Sequence, residues 1–186
     1  AAEIKRYGPI PISRFMEHCL YDEKFGYYAS KKNVIGADGD FLTSPEISQV
    51  FGELIGLWLA QTWIDRGKPN PFSLIELGPG NGTLMNDILR ATEKIPEFFD
   101  AASVVLVENS KALRDRQRSV LQQRCHPTWI ENISNVPQQP IFLLANEFLD
   151  SLPIRQFKKK NDVWFERSID LTATGKLQFS YLQSKL

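Results

Sequence analysis

The run Glu76-Leu-Gly-Pro-Gly-Asn-Gly-Thr83 joins a short apolar segment, Ser73 to Leu77, to a stretch with apolar pairs at helical spacing, Leu84 to Thr92. Glycines at alternate positions let the main chain come close to a nucleotide-like ligand, because no Cβ stands in the way. A dinucleotide fingerprint places its third glycine one residue later than this G-x-G-x-G and does not need an acid two positions before the first glycine. At the carboxyl end of its strand, Glu76 can meet a methionyl ammonium, directly or through water, and that charge is absent from NAD. The spacing therefore favours S-adenosylmethionine over NAD as cofactor, and a purely structural Gly-rich turn is the alternative.

Glu108 closes a second apolar strand, Ser103 to Val107, where a carboxylate can accept two hydrogen bonds from ribose hydroxyls. Taken alone it reads as an ordinary exposed strand-end acid; paired with the glycine loop one strand earlier, it reads as half of an adenosine pocket. Beyond a fourth apolar run, Ile141 to Ala145, come Asn146, Glu147 and Asp150, at the edge of the sheet where open α/β folds place reacting groups. These three are the candidates for binding a second substrate, with strand-end or capping acids as the alternative.

The elements that must position these groups follow from periodicity. Ile12 to Leu20 has amphipathic helical spacing after Pro9 and Pro11, and Lys24 to Asp40 reads as an extended loop. Thr43-Ser-Pro-Glu46 opens a helix, with Ser44 as the cap, Pro45 in the first turn and Glu46 facing the positive dipole end. Ile47, Val50, Phe51, Leu54, Ile55, Trp58, Leu59 and Trp63 place one apolar face along it until Gly67 and Pro69. Ser110 caps a polar helix running to about Arg124, and Trp129-Ile130 is a third short strand. Strands alternating with helices predict an α/β fold, a Rossmann-like parallel sheet flanked by helices. Past Pro153, Ile154 to Phe157, a turn over Lys158 to Asp162, Val163 to Ile169, a turn at Thr174-Gly175 and Leu177 to Leu182 predict an antiparallel meander. The boundaries are residues 1–70 for a helical and loop extension, 71–152 for the Rossmann-like core and 153–186 for the meander.

Twenty-two basic against 22 acidic residues give a formal net charge of zero, without the basic footprint of a nucleic-acid binder. No run approaches the roughly 20 apolar residues of a membrane helix, and Ala1 to Ile12 lacks signal-peptide order, which predicts an intracellular protein without membrane insertion. Cys19 and Cys125 lie far apart with no CxxC or Cys/His spacing, so neither a metal site nor a disulfide is expected and both read as buried thiols.

Four segments together carry a resemblance: Gly39-Asp-Phe-Leu-Thr-Ser-Pro-Glu46, Glu76 to Leu84, Val107-Glu-Asn-Ser110 and Ala145-Asn-Glu-Phe-Leu-Asp-Ser-Leu-Pro-Ile-Arg-Gln-Phe157. The chain resembles the MidA-type methyltransferases, a family that includes a mitochondrial protein-arginine methyltransferase assisting assembly of respiratory complex I. The likeness runs from about Tyr7 to Ile169; the first and last segments are particular to this family, whereas the glycine loop is common to class I methyltransferases. The resemblance implies that Gly78, Gly80 and Gly82 face the methionine moiety of S-adenosylmethionine, Glu108 the ribose, and the Glu131-Asn132-Ile133 stretch the adenine, with Asn132 as contact. It implies that the segment from Asp40 to Glu46 covers the cofactor, Thr43 and Ser44 offering hydroxyls, a role compatible with helix capping. Glu147 and Asp150 would grip the guanidinium of an acceptor arginine on a protein substrate.

The resemblance implies an Arg, as many members of the family carry, where this chain has Asn81, so any positive contact made there is absent or replaced. The family is about twice this length by domain arithmetic, and its sheet has seven strands against about four here, so the chain reads as an N-terminal portion. The rival reading is a non-catalytic assembly factor with a vestigial cofactor site, binding its partner through the apolar helix and the meander. An NAD-dependent oxidoreductase shares the fold but conflicts with the glycine spacing. The bacterial cytoplasm is the default setting and the mitochondrial matrix the eukaryotic one.

Overall fold

The computed structural model describes residues 1–30, 36 and 39–184, with the side chains of residues 29 and 30 excepted. The chain divides into two compact units, residues 33–149 and residues 1–32 with 150–186.

At the start of the chain lie α1 (Ala2–Tyr7), strand β1 (Ile10–Pro11), α2 (Ile12–Tyr21) and α3 (Tyr27–Ser30). The periodicity of Ile12 to Leu20 matches α2, but no residue of it is buried, and Cys19 is exposed rather than buried as expected. The segment expected to be a loop contains the short α3, where Tyr28 stacks on Tyr21 at 5.4 Å and meets the Tyr27 ring edge-on at 5.3 Å. The rest of that expectation, at residues 31–35, 37 and 38, lies outside the described residues.

The unit of residues 33–149 begins with α4 (Ser44–Ile47) and α5 (Gln49–Asp65), which the sequence reads as one helix. Ser48, at φ −148° and ψ 120°, is extended and separates them. The N-cap of α4 is Thr43, one residue before the expected Ser44, and its side chain makes no capping bond. The packing face of α5 also differs from expectation. Gly52, Gly56, Leu59, Ala60 and Trp63 are buried, while Val50, Leu54 and Trp58 are 55%, 61% and 63% exposed. The cause is backbone approach: a Cβ on Gly52 would lie 2.6 Å from the Asp87 Cβ, and one on Gly56 would lie 2.9 Å from the Ile88 carbonyl oxygen. Small residues at i, i+4 and i+8 let two helices pack over their length, a contact that bulkier apolar residues would forbid.

Next come β2 (Phe72–Leu77), α6 (Thr83–Thr92), α7 (Pro96–Ala101), β3 (Ala102–Val107), α8 (Lys111–Leu121), β4 (Thr128–Ile130) and β5 (Ile141–Leu144). Each expected strand is present; α7, with Pro96 in its first turn, was not expected. The four strands form a parallel sheet in the order β4-β3-β2-β5, with Glu76 in register with Leu106 on one side and Leu144 on the other. Beneath it, Phe72 packs against Phe98, Phe142 and Trp63 at ring separations of 5.0, 5.3 and 6.3 Å. A continuous core of α5, α6 and sheet residues surrounds this aromatic group.

The other unit resumes with β6 (Phe157–Lys160), β7 (Val163–Leu171) and β8 (Leu177–Gln183), an antiparallel meander as expected. The lysine run belongs to β6 rather than to the turn, which is confined to Asn161 and Asp162 at φ 48° and 61°. Two successive positive φ values are what a two-residue hairpin requires. Strand β1 extends this sheet by pairing Ile10 with Ile169, and Ile4, Ile10 and Ile169 form its small core with Phe15 and Leu171. Among the described residues no helix is long and apolar enough to cross a membrane.

Candidate functional site

The chain leaves β2 for β3 on one side and returns to β5 on the other, so the carboxyl end of β2 is the topological switch point of the sheet. The segments that follow β2, β3, β4 and β5 therefore share one edge, and they carry the glycine loop, Glu108, Asn132, Asn146 and Glu147. Gly78, Gly80 and Gly82 have φ of 60°, 53° and 84°, values that L side chains adopt at a cost. The loop is held by main-chain bonds: the Gly78 N–H donates to the Val107 carbonyl at the end of β3 at 3.1 Å, and the Gly82 N–H to the Pro79 carbonyl within the loop at 2.8 Å. A Cβ on Gly78 would lie 2.4 Å from the Phe148 ring, so the segment after β5 closes against the loop after β2.

Glu76 is 3% exposed, and its Oε2 is buried without a hydrogen-bond partner. Burial pushes its carboxyl up from 4.5 to about 8. Buried polar atoms are otherwise almost always satisfied, and perturbed carboxyls concentrate at functional sites. A buried carboxyl with an unpartnered oxygen, two residues before the first glycine of the loop, fits a cationic group, such as the ammonium of a methionyl ligand.

Glu108 is held from three sides. Its Oε1 accepts the Ser110 N–H at 2.8 Å, its Oε2 accepts from Gln117 Nε2 at 3.4 Å, and its carbonyl accepts from Arg114 Nε at 2.7 Å. Ser110 caps α8 as expected, its Oγ accepting the Leu113 N–H at 3.4 Å. A carboxylate so oriented at a strand end keeps lone pairs for a ligand's hydroxyls. Asn132, after β4, is exposed, and its Oδ1 accepts the Ser134 N–H at 3.0 Å.

Thr43 and Ser44 lie at the start of α4, and Glu46, two residues on, ties that helix to the glycine loop. Its Oε1 accepts from Thr83 Oγ1 at 2.7 Å and from Asn81 Nδ2 at 3.1 Å. Sequence reasoning gave Glu46 only a dipole role; in the structure its carboxylate accepts a charge-assisted bond from the Asn81 amide. Glu147 has φ 48°, a left-handed backbone unusual for a residue with a Cβ and often found at functional positions. Asn146 is half-buried beside it. Asp150 belongs to the other unit, on a single 3-10 turn, Leu149–Ser151, and the structure does not place it with the rest. Glu46, Gln117 and Phe148 are the site-lining residues that the sequence did not single out. Glu46 and Phe148 gave a signal through their places in family-specific segments, and Gln117 gave none.

Residues 54–186 match the family profile described as "Putative S-adenosyl-L-methionine-dependent methyltransferase". Among curated proteins, the mitochondrial protein arginine methyltransferase NDUFAF7 of Xenopus laevis is 38% identical over 91% of this chain and 44% of its own length. The Drosophila melanogaster homolog is 37% identical over 99% and 47%, and the human protein 36% over 95% and 46%. The chain thus spans about half the length of the curated relatives it matches. A crystal structure from Burkholderia thailandensis, bound to S-adenosyl-homocysteine, superposes with a TM-score of 0.77 at 28% identity, covering 100% of this chain and 49% of that one. With the glycine loop, the parallel sheet and the profile in agreement, the chain belongs to this methyltransferase family.

Proposed function

We propose that this chain carries the cofactor-binding half of a MidA-type, S-adenosylmethionine-dependent methyltransferase that modifies arginine in a protein substrate. The observation that carries the reading is the buried, unpartnered Glu76 carboxylate before a glycine loop with three positive φ values. Glu76 holds the cofactor's ammonium, the main chain at Gly78, Gly80 and Gly82 lies along the methionine moiety, Glu108 takes the ribose and Asn132 the adenine. Thr43 and Ser44 cover it from α4. Bound there, the cofactor supplies a methyl group on a sulfonium, an electrophile needing alignment more than strong acid catalysis. The acceptor keeps its proton at ordinary pH because its pKa exceeds about 12. Asn146 and Glu147 are assigned to gripping and orienting it: a carboxylate matches the guanidinium fork, aims one nitrogen at the methyl group, and can take the proton that nitrogen gives up as the N–CH3 bond forms and the S–CH3 bond breaks. The relatives named above supply the arginine specificity and the mitochondrial setting; a bacterial copy would work in the cytoplasm.

Calorimetric titration of the chain with S-adenosylmethionine, S-adenosylhomocysteine and NAD tests the cofactor: saturable binding of the first two alone is expected, and NAD binding overturns it. Transfer of a labelled methyl group to arginine by the longer protein tests the acceptor. Glu147→Gln is expected to reduce transfer by about ten- to a hundredfold while leaving cofactor affinity intact, as for a lost charge-assisted contact.

Exposure of Val50, Leu54, Leu57 and Trp58 along α5 favours the second reading, an assembly factor that offers this face to a partner. Gly80→Val separates the two: loss of cofactor binding with biological function retained selects the assembly factor.

A further inference from the structure

Gln117 lies on α8, a helix whose composition is polar, yet it is wholly buried. Its amide makes three bonds: Nε2 donates to the Gly80 carbonyl at 2.9 Å and to Glu108 Oε2 at 3.4 Å, and Oε1 accepts from Trp129 Nε1 at 2.8 Å. The orientation of this amide is fixed by its neighbours' chemistry. An indole N–H only donates, and a carbonyl and a carboxylate only accept, so oxygen must face Trp129 and nitrogen the other two. Trp129 is in turn capped by the Arg118 guanidinium, 4.7 Å from its ring centroid. One side chain therefore joins the loop after β2, the acid after β3 and strand β4. Gly82 lies directly against it, since a Cβ there would stand in van der Waals contact, 3.4 Å from the Gln117 Cα and Cγ.

We infer that Gln117 is a positioning residue of the cofactor site: it sets the Glu108 carboxylate and the Gly80 main chain relative to each other, so that the ribose hydroxyls meet a carboxylate already aimed at them. This rests on the assignment of Glu108 to the ribose. Without Gln117, Glu108 keeps only the Ser110 N–H on its other oxygen, and its side chain gains rotational freedom that ligand binding must remove.

The test compares the affinity of S-adenosylhomocysteine with that of its 2′-deoxy analogue, by calorimetry, in the wild-type chain, Gln117→Met and Trp129→Phe. Removing the hydroxyl is expected to weaken wild-type binding about tenfold or more, the size of a charge-assisted hydrogen bond. In Gln117→Met the ratio is expected to fall to about two- to threefold. Trp129→Phe, which keeps Gln117 but frees its oxygen, is expected to give a value between, and it guards against a Gln117 variant that does not fold. A merely structural role would weaken both ligands together and leave the ratio unchanged. Unchanged ratios in variants that melt as the wild type does overturn the inference while leaving the cofactor assignment standing. A wild-type chain that binds S-adenosylhomocysteine without discriminating against the deoxy analogue overturns the role of Glu108 and the inference with it, and a wild-type chain that binds neither overturns the cofactor site itself.

Discussion

Glu76 couples ligand binding to a proton. Its carboxyl titrates at about 8 because it is desolvated without a partner. At pH 7 about nine-tenths of the ligand-free protein therefore carries a proton there. Binding of an ammonium beside it favours the carboxylate and returns the pKa to the ordinary range or below. Binding of S-adenosylhomocysteine at pH 7 should then release about 0.9 proton, and affinity should rise close to tenfold from pH 6 to 7. The assay is calorimetric titration in two buffers of low and high ionisation enthalpy, in which the difference in heat reports the proton count. Glu76→Gln, nearly isosteric, should release none and bind about 10- to 100-fold more weakly. The ligand-free protein supplies a second readout. A folded pKa raised from 4.5 to about 8 gives stability that is fully present below pH 4.5 and lost as pH climbs through 8, a range worth up to about 5 kcal/mol. Glu76→Gln should flatten that decline. Tight binding with a proton count below about 0.3, or the same count in wild type and Glu76→Gln, would refute the reasoning.

Three further outcomes are expected. Gly78→Ala combines φ 60° with a Cβ placed 2.4 Å from the Phe148 ring, so S-adenosylhomocysteine binding should fall at least tenfold; wild-type affinity would show that the segment after β5 yields freely. Glu46→Ala removes the acceptor of the Thr83 hydroxyl and the Asn81 amide, and should lower stability by about 1–3 kcal/mol in chemical denaturation. Glu166, 8% exposed, is held bidentate by Arg155 at 2.8 and 2.7 Å, which keeps its carboxyl below the usual range. That stabilisation is present above pH 4.5 and lost as pH falls through the lowered value. Glu166→Gln should therefore flatten the acid limb of a stability profile, and an unchanged limb would refute it.

What the sequence made legible is what depends on neighbours in the chain. Strand, glycine loop and helix from Phe72 to Thr92 follow from short-range periodicity and from the conformations that glycine alone adopts cheaply, and Ser110 was readable as a cap. The packing of α5 was not legible, because hydrophobicity points to Val50, Leu54 and Trp58, whereas close backbone approach to α6 selects Gly52 and Gly56. The lysines of β6 looked like a turn because charge marks solvent exposure, which an edge strand offers as readily as a loop. Gln117 was hidden for the opposite reason: a polar residue on a polar helix gives no sign that it will be buried between partners on three separate segments, Gly80, Glu108 and Trp129. Glu46 shares that difficulty, its bonds to Asn81 and Thr83 spanning more than thirty residues.

The contact between α5 and α6 sets how this helix can change over generations of substitution. Where a Cβ would stand 2.6 Å from Asp87 or 2.9 Å from the Ile88 carbonyl, even alanine forces the two backbones apart, so Gly52 and Gly56 admit almost no alternatives. Val50, Leu54 and Trp58, which a hydrophobicity scale would mark as the residues to protect, stand largely outside this packing and can drift within this unit. Along α5 the tolerance for replacement therefore follows packing rather than hydrophobicity: Gly52 and Gly56 are as constrained as the buried Leu59 and Trp63, and more so than the larger Val50, Leu54 and Trp58.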